Sequence, residues 1–173
     1  MRPARRRFIQ AGLAGTALLA FAGFVGRPRA QPAARLRNLD ARGVEFLRVL
    51  VPVVLAGALP SGPERPAAID ETIQAFDRAI SGLDSAVQDE IGQMLGLLLY
   101  APTRIAVAGV WPAWREASAD EVAAFLRGWR DSGSDLKRSG YRALTQLIQA
   151  AWYGNARSWP AIGYPGPPQE ALR

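Results

Sequence analysis

Apolar residues recur along this chain in steps of three and four, with no sustained alternation of apolar and polar positions. Between Asn38 and Leu59 they fall at Val44, Leu47, Val51, Val54/Leu55 and Ala58, the stripe of a 3.6-residue helix. Phe46, Leu50 and Val53 occupy the other side, so the spacing predicts a broadly buried helix. Pro52 lacks a backbone donor and crowds the preceding turn, which predicts a kink or a division there. Pro60-Ser61-Gly62-Pro63 is a stop. A second helix is expected from about Ala67 to Ser81, on Ile69, Ile73, Phe76 and Ile80. A third, capped by Asp84 or Ser85, carries Val87, Ile91, Met94/Leu95 and Leu98. Ile91 to Val110 is apolar enough to raise the question of a membrane span. Gln93, Pro102, Thr103 and Arg104 argue instead for a core helix followed by a buried turn.

Ser118-Ala119-Asp120-Glu121 has the spacing of a capping box. It opens a helix bearing Val122, Phe125/Leu126 and Trp129. After a break at Asp131 to Ser134, a last helix runs from about Asp135 to Tyr153, with Gly140 an unfavourable residue at its centre. The expected fold is all-α: a compact bundle or irregular array of about five helices in residues 31–153. A Pro/Gly-rich tail over 154–173 cannot be regular helix.

The N-terminus is organised differently. Arg2, Arg5, Arg6 and Arg7 precede an uncharged stretch from Ala11 to Gly26, and Arg27-Pro28-Arg29-Ala30 follows. That order, basic, apolar and then polar, is that of an export signal. The apolar run falls short of the roughly 18–20 residues of a membrane span. Arg5-Arg6-Arg7-Phe8-Ile9 resembles the twin-arginine signal, with Arg5 and Arg6 as the pair and Phe8 and Ile9 leading into the apolar run. Residues 1–30 therefore read as a twin-arginine leader, and the expected location is the periplasm. Ala30 suits a cleavage site, whereas Pro28 does not, so retention of the leader as a tether stays open.

The leader also explains the charge. Six of the 21 basic residues and none of the 15 acidic ones lie in 1–30, so 31–173 holds 15 of each. The net charge of +6 gives no support for nucleic-acid binding.

The chain contains no histidine and no cysteine. Histidine- and cysteine-based catalytic triads, His- or thiolate-bound zinc, iron–sulfur clusters and covalent haem attachment all lack their ligands. Neither GxxxxGK nor GxGxxG occurs. The carboxylates Asp70, Glu71, Asp77, Asp84, Asp89, Glu90, Asp120 and Glu121 are spread along helices and read as solvated faces and caps.

Aromatic residues are unevenly placed. Trp111 and Trp114 flank Pro112, and Trp152, Tyr153, Trp159 and Tyr164 crowd the C-terminal end. Such rings fill cores, and they also anchor interfaces, where their large area and polar handle concentrate binding energy.

The C-terminal segment combines the pair Trp152-Tyr153, then Trp159, then Gly163-Tyr164-Pro165-Gly166-Pro167. It resembles the C-terminal signature of the gluconate 2-dehydrogenase subunit 3 family, the small subunits of membrane-associated, flavin-dependent sugar and polyol dehydrogenases. The leader at Arg5-Arg6 fits the same pattern. The resemblance implies a non-catalytic role with no cofactor in this chain. FAD would belong to a flavoprotein dehydrogenase large subunit, often accompanied by a cytochrome c subunit. The small subunit would support the folding of its partner and escort it through the twin-arginine translocation machinery. Partner contact is then expected at Trp152, Tyr153, Trp159, Tyr164 and Pro165. The residues themselves leave other readings open: a stand-alone periplasmic helical binding protein, or an enzyme working through carboxylates.

Overall fold

The computed structural model describes residues 36–166, so the leader expected from the sequence, with Arg5, Arg6, Phe8 and Ile9, lies outside the described residues. The described residues form an all-helical bundle of six α-helices and contain no strand. α1 is Ala41–Val54, α2 Arg65–Ser81, α3 Ser85–Leu99, α4 Ala101–Ala108, α5 Ala119–Arg130 and α6 Asp135–Tyr153. Short 3-10 turns occupy Gly62–Glu64, Trp114–Glu116, Ala156–Ser158 and Pro160–Ile162.

α1 is the central rod. Phe46, Leu47, Leu50 and Val51 are fully buried, and the helix packs against α2, α3, α5 and α6. Asp40 caps its start by accepting the Gly43 N–H at 2.7 Å. The helix runs only two residues past Pro52 before giving way to turns, short of the expected Leu59. Proline thus ends this helix within a turn. α2 starts earlier than expected because Pro66 fits its first turn, where no backbone donor is needed.

The largest departure from expectation is at Ala101–Ala108, a true helix where the sequence suggested a buried turn. α3 and α4 meet at Tyr100 with a bend of 95°. Pro102 again explains the boundary. It cannot continue α3, and it suits the first turn of α4. No single described helix is long and apolar enough to cross a membrane.

The capping box is present: the Glu121 N–H donates to Ser118 Oγ, and the Glu121 carboxylate accepts the Ser118 N–H at 2.8 Å. Gly140 proves to be a packing requirement. A Cβ built there would lie 2.5 Å from Trp129 Cζ3, so α6 crosses α5 where only glycine fits. The core contains a chain of rings. Phe46 meets Trp114 at 4.6 Å, Trp114 meets Phe125 at 5.5 Å, and Phe125 meets Trp129 edge-on at 5.0 Å.

Asp77 corrects the reading of the carboxylates as solvated. It is 3% exposed, and its carboxylate accepts the backbone N–H groups of Arg37, Asn38 and Leu39 at 2.9, 2.8 and 3.0 Å. It fixes the first described residues of the chain onto α2.

Candidate partner interface

The tail builds an ordered cap over the end of α6. Gly154 ends the helix, and a Cβ at this position would approach Ala150 O at 2.8 Å, so the close turn needs glycine. Asn155 then turns the chain: its Oδ1 accepts the Arg157 N–H at 3.0 Å, while its Nδ2 donates to Glu71 on α2 at 3.2 Å. Ser158 is buried and donates through Oγ to Asn155 O.

Arg157 is the fastener. Its Nε and Nη2 donate to the two oxygens of Glu71 at 2.9 and 2.8 Å, the bidentate geometry that a guanidinium offers a carboxylate. Glu64 stands 3.4 Å from Nη1. Arg157, by hydrogen bonding above all, holds the Glu71 carboxyl below its ordinary pKa; partial burial opposes this, and Asn155 assists it.

Beyond this latch the chain folds around Trp159. Its indole N–H donates to Tyr153 O at 3.1 Å, and its carbonyl accepts the Tyr164 N–H at 3.0 Å. The Tyr164 ring meets the indole edge-on at 5.4 Å. The Gly166 backbone, with φ at 101°, closes against the indole, where a Cβ would lie 3.1 Å from Trp159 Cζ3. Gly163, with φ at 67°, makes the turn that brings Tyr164 back.

The structure therefore joins four of the five residues singled out in the sequence. Tyr153, Tyr164 and Pro165 are exposed around a half-buried Trp159, and the exposed Ile162 adds to this apolar surface. Trp152 is separated from them. It is 2% exposed and belongs to the core, because it stands on the inward stripe of α6 with Leu144 and Ile148. Adjacent positions on a helix point about 100° apart, so Trp152 and Tyr153 cannot share one role.

Sequence reasoning missed Glu71, Asn155 and Arg157, which fix the cap's shape. Their only sequence signal is local: an Asn two residues before another polar residue favours a side-chain-closed turn. The Glu71–Arg157 pair spans 86 positions and has no periodicity to reveal it.

The remaining aromatics divide by depth. Trp114 and Trp129 are core rings whose indole N–H groups are satisfied by Leu98 O and Val107 O. Trp111 is 75% exposed. Among the described residues, no group of three or more carboxylates is arranged to hold a metal ion. Comparison with protein-family models, curated proteins and solved structures finds no match.

Proposed function

We propose that this chain is a non-catalytic accessory subunit of an exported, FAD-dependent alcohol or sugar dehydrogenase complex. It binds the flavoprotein subunit, supports its folding and accompanies it through the twin-arginine pathway to the periplasm. The observation that carries this reading is the cap. A segment with the composition of a loose tail is instead latched to α2 and presents Tyr153, Trp159, Tyr164 and Pro165 together. A surface fixed before binding avoids the ordering cost that a flexible tail would incur on association. Rigid Trp and Tyr anchors are the side chains that most often dominate binding. The leader, with Arg5, Arg6, Phe8 and Ile9, supports the export half of the proposal. Twin-arginine export carries folded cargo, which suits a partner that must enclose its flavin before crossing.

The test is co-purification from the native envelope. The tagged chain is expected to bring down a subunit with a flavin absorbance spectrum and dye-linked dehydrogenase activity. The Trp159→Ala/Tyr164→Ala double variant is expected to lose that subunit while keeping its helical circular dichroism. Loss of helicity in the variant would mean that the rings are structural and would refute the interface. Recovery of no flavoprotein with the unaltered chain would refute the assignment. Arg5→Lys/Arg6→Lys is expected to strand both subunits in the cytoplasm, and continued export would refute the twin-arginine route.

A further inference from the structure

The loop after α4 presents one tryptophan to solvent. Trp111 is 75% exposed, although Val110 before it and Trp114 beyond it are buried. Arg104, itself buried, fixes the loop from behind, donating from Nε to Val110 O and from Nη2 to Trp111 O, both at 3.1 Å. Gly109, with φ at 71°, turns the chain out of α4 into this loop. Trp114, Trp129 and Trp159 donate their indole N–H groups to carbonyls of this chain, whereas among the described residues Trp111 has no such partner. A rigidly held Trp with its polar handle unspent is the kind of side chain that dominates binding.

Two residues before Trp111 the surface sinks. Gly109 lines a hollow of about 360 Å³ between α4, α5 and the start of α6. A cavity of about 150 Å³ holds a benzene ring, so this hollow has room for an indole. The buried rings of Phe125 and Trp129 form its floor, and the small residues Ala124 and Gly128 leave its α5 side open. Glu121 and Lys137 also line it. Glu121 Oε2 takes both bonds from Ser118, at 2.8 and 2.9 Å, which leaves Oε1 without a partner among the described residues. Lys137 has no ion pair among the described residues. The hollow therefore offers an aromatic floor, an acceptor for an N–H and a cation for the face of a ring. An indole uses all three. A hydrocarbon chain would cover the two charges and pair with neither.

We propose that this face joins two copies of the chain, Trp111 of each seating in the hollow of the other, with its indole N–H on Glu121 Oε1 and its ring against the Lys137 ammonium. A knob and a hollow side by side on one face are self-complementary about a two-fold axis that passes between them, so both seats fill at once. Each indole buries about 150–250 Å². With the walls that receive the two rings, the contact stands at the small end of specific interfaces, and the dimer is weak and reversible. Lys137 and Tyr153 lie about 24 Å apart along α6, so the hollow and the cap are separate surfaces. The proposal stands whether or not the cap binds a flavoprotein.

Sedimentation equilibrium of the full chain reads the association directly. The apolar leader can associate by itself, so the decisive readout is dependence on the knob and on the hollow. Trp111→Ala removes the knob from an exposed position. Gly128→Leu fills the hollow, and a Cβ at Gly128 meets nothing within 4 Å, so the fold accepts it. The unaltered chain is expected to dimerise reversibly at concentrations below about 0.5 mM. Each variant alone is expected to dimerise about tenfold more weakly or worse, with its helical circular dichroism unchanged. An equimolar mixture of the two variants is expected to recover part of the loss. The Gly128→Leu chain keeps its Trp111 and the Trp111→Ala chain keeps its hollow, so one of the two seats is filled. If Gly128→Leu disturbs folding, Ala124→Leu serves in its place. An unaltered chain that stays monomeric at that concentration would overturn the proposal. So would association that neither substitution weakens, which would assign it to the leader, or a mixture no more associated than either variant alone.

Discussion

Replacing Asp77 tests the idea that the start of the helical body is held by one buried carboxylate. Three backbone N–H groups converge on it at 2.8–3.0 Å. Hydrogen bonds to a charged acceptor contribute about 1.5–3 kcal/mol each, and a buried donor left unpaired costs about 1–3 kcal/mol. In Asp77→Ala the Arg37 and Asn38 N–H groups, which are only partly buried, can recover water, whereas the Leu39 N–H is buried and cannot. The expected loss is therefore below the sum of three bonds, about 3–5 kcal/mol. Asp77→Asn keeps an oxygen for Asn38 and Leu39 but turns an NH₂ group toward the Arg37 N–H, so about 2–3 kcal/mol is expected. Urea unfolding followed by far-UV circular dichroism measures both. With a urea dependence of about 1.5–2 kcal/mol per molar, the alanine variant should unfold about 2 M earlier. An alanine variant within about 0.5 kcal/mol of the unaltered protein would refute the reasoning, because that is the range of surface substitutions away from any structural feature.

Gly140→Ala should destabilise the protein even though alanine favours helix by about 1 kcal/mol. The new methyl would meet the Trp129 ring at 2.5 Å, and overpacking costs about 1–3 kcal/mol; a raised melting temperature would refute this. Arg104→Met leaves Val110 O and Trp111 O without their donors and should cost about 2–3 kcal/mol, with faster amide exchange over 109–114; an unchanged melting temperature and exchange would count against the role given to Arg104. Glu71→Gln should loosen the tail and leave the bundle folded, seen as faster amide exchange confined to 155–166. The pH dependence follows from the lowered Glu71 pKa. The latch is fully present above the range in which an unfolded carboxylate titrates, and it is lost as acidification carries Glu71 through its lower folded value. Tail protection, taken relative to the intrinsic exchange rate at each pH, that does not fall on acidification in the unaltered chain would contradict the latch.

The bundle was legible in the sequence wherever burial follows one helical stripe. Leu144, Ile148 and Trp152 announce α6, and Ser118 with Glu121 announces the start of α5. The stripe fails at α4, where apolar residues continue across Tyr100 while the chain turns by 95°. Periodicity reports that residues are buried, but it does not report a change of direction within an apolar run. Pro102 was the available clue, and it reads equally well as a breaker or as a first-turn residue. At the C-terminal cap, composition located the aromatic cluster but could not sort it, because ring depth is set by contacts distant in sequence. Trp152 and Tyr153 are neighbours with opposite fates. Asp77 and Glu71 resemble other helical carboxylates, and what distinguishes them are backbone and side-chain partners 38 to 86 positions away.

These two carboxylates give α2 a role that neither end of the chain shows alone. Glu71 holds the tail through Asn155 and Arg157, and Asp77 holds Arg37, Asn38 and Leu39. They are six residues apart, about 9 Å along the helix axis. Residue 37 is only seven positions beyond the end of the leader read in the sequence. One helix therefore holds both the first described residues of the chain and the cap to which the partner is proposed to bind. In the proposed escort role, a partner gripped at Trp159 and Tyr164 would sit on the same helix that holds residues 37–39, the described residues nearest in sequence to the expected leader, so the latch at Glu71 and the anchor at Asp77 would act on one rigid element.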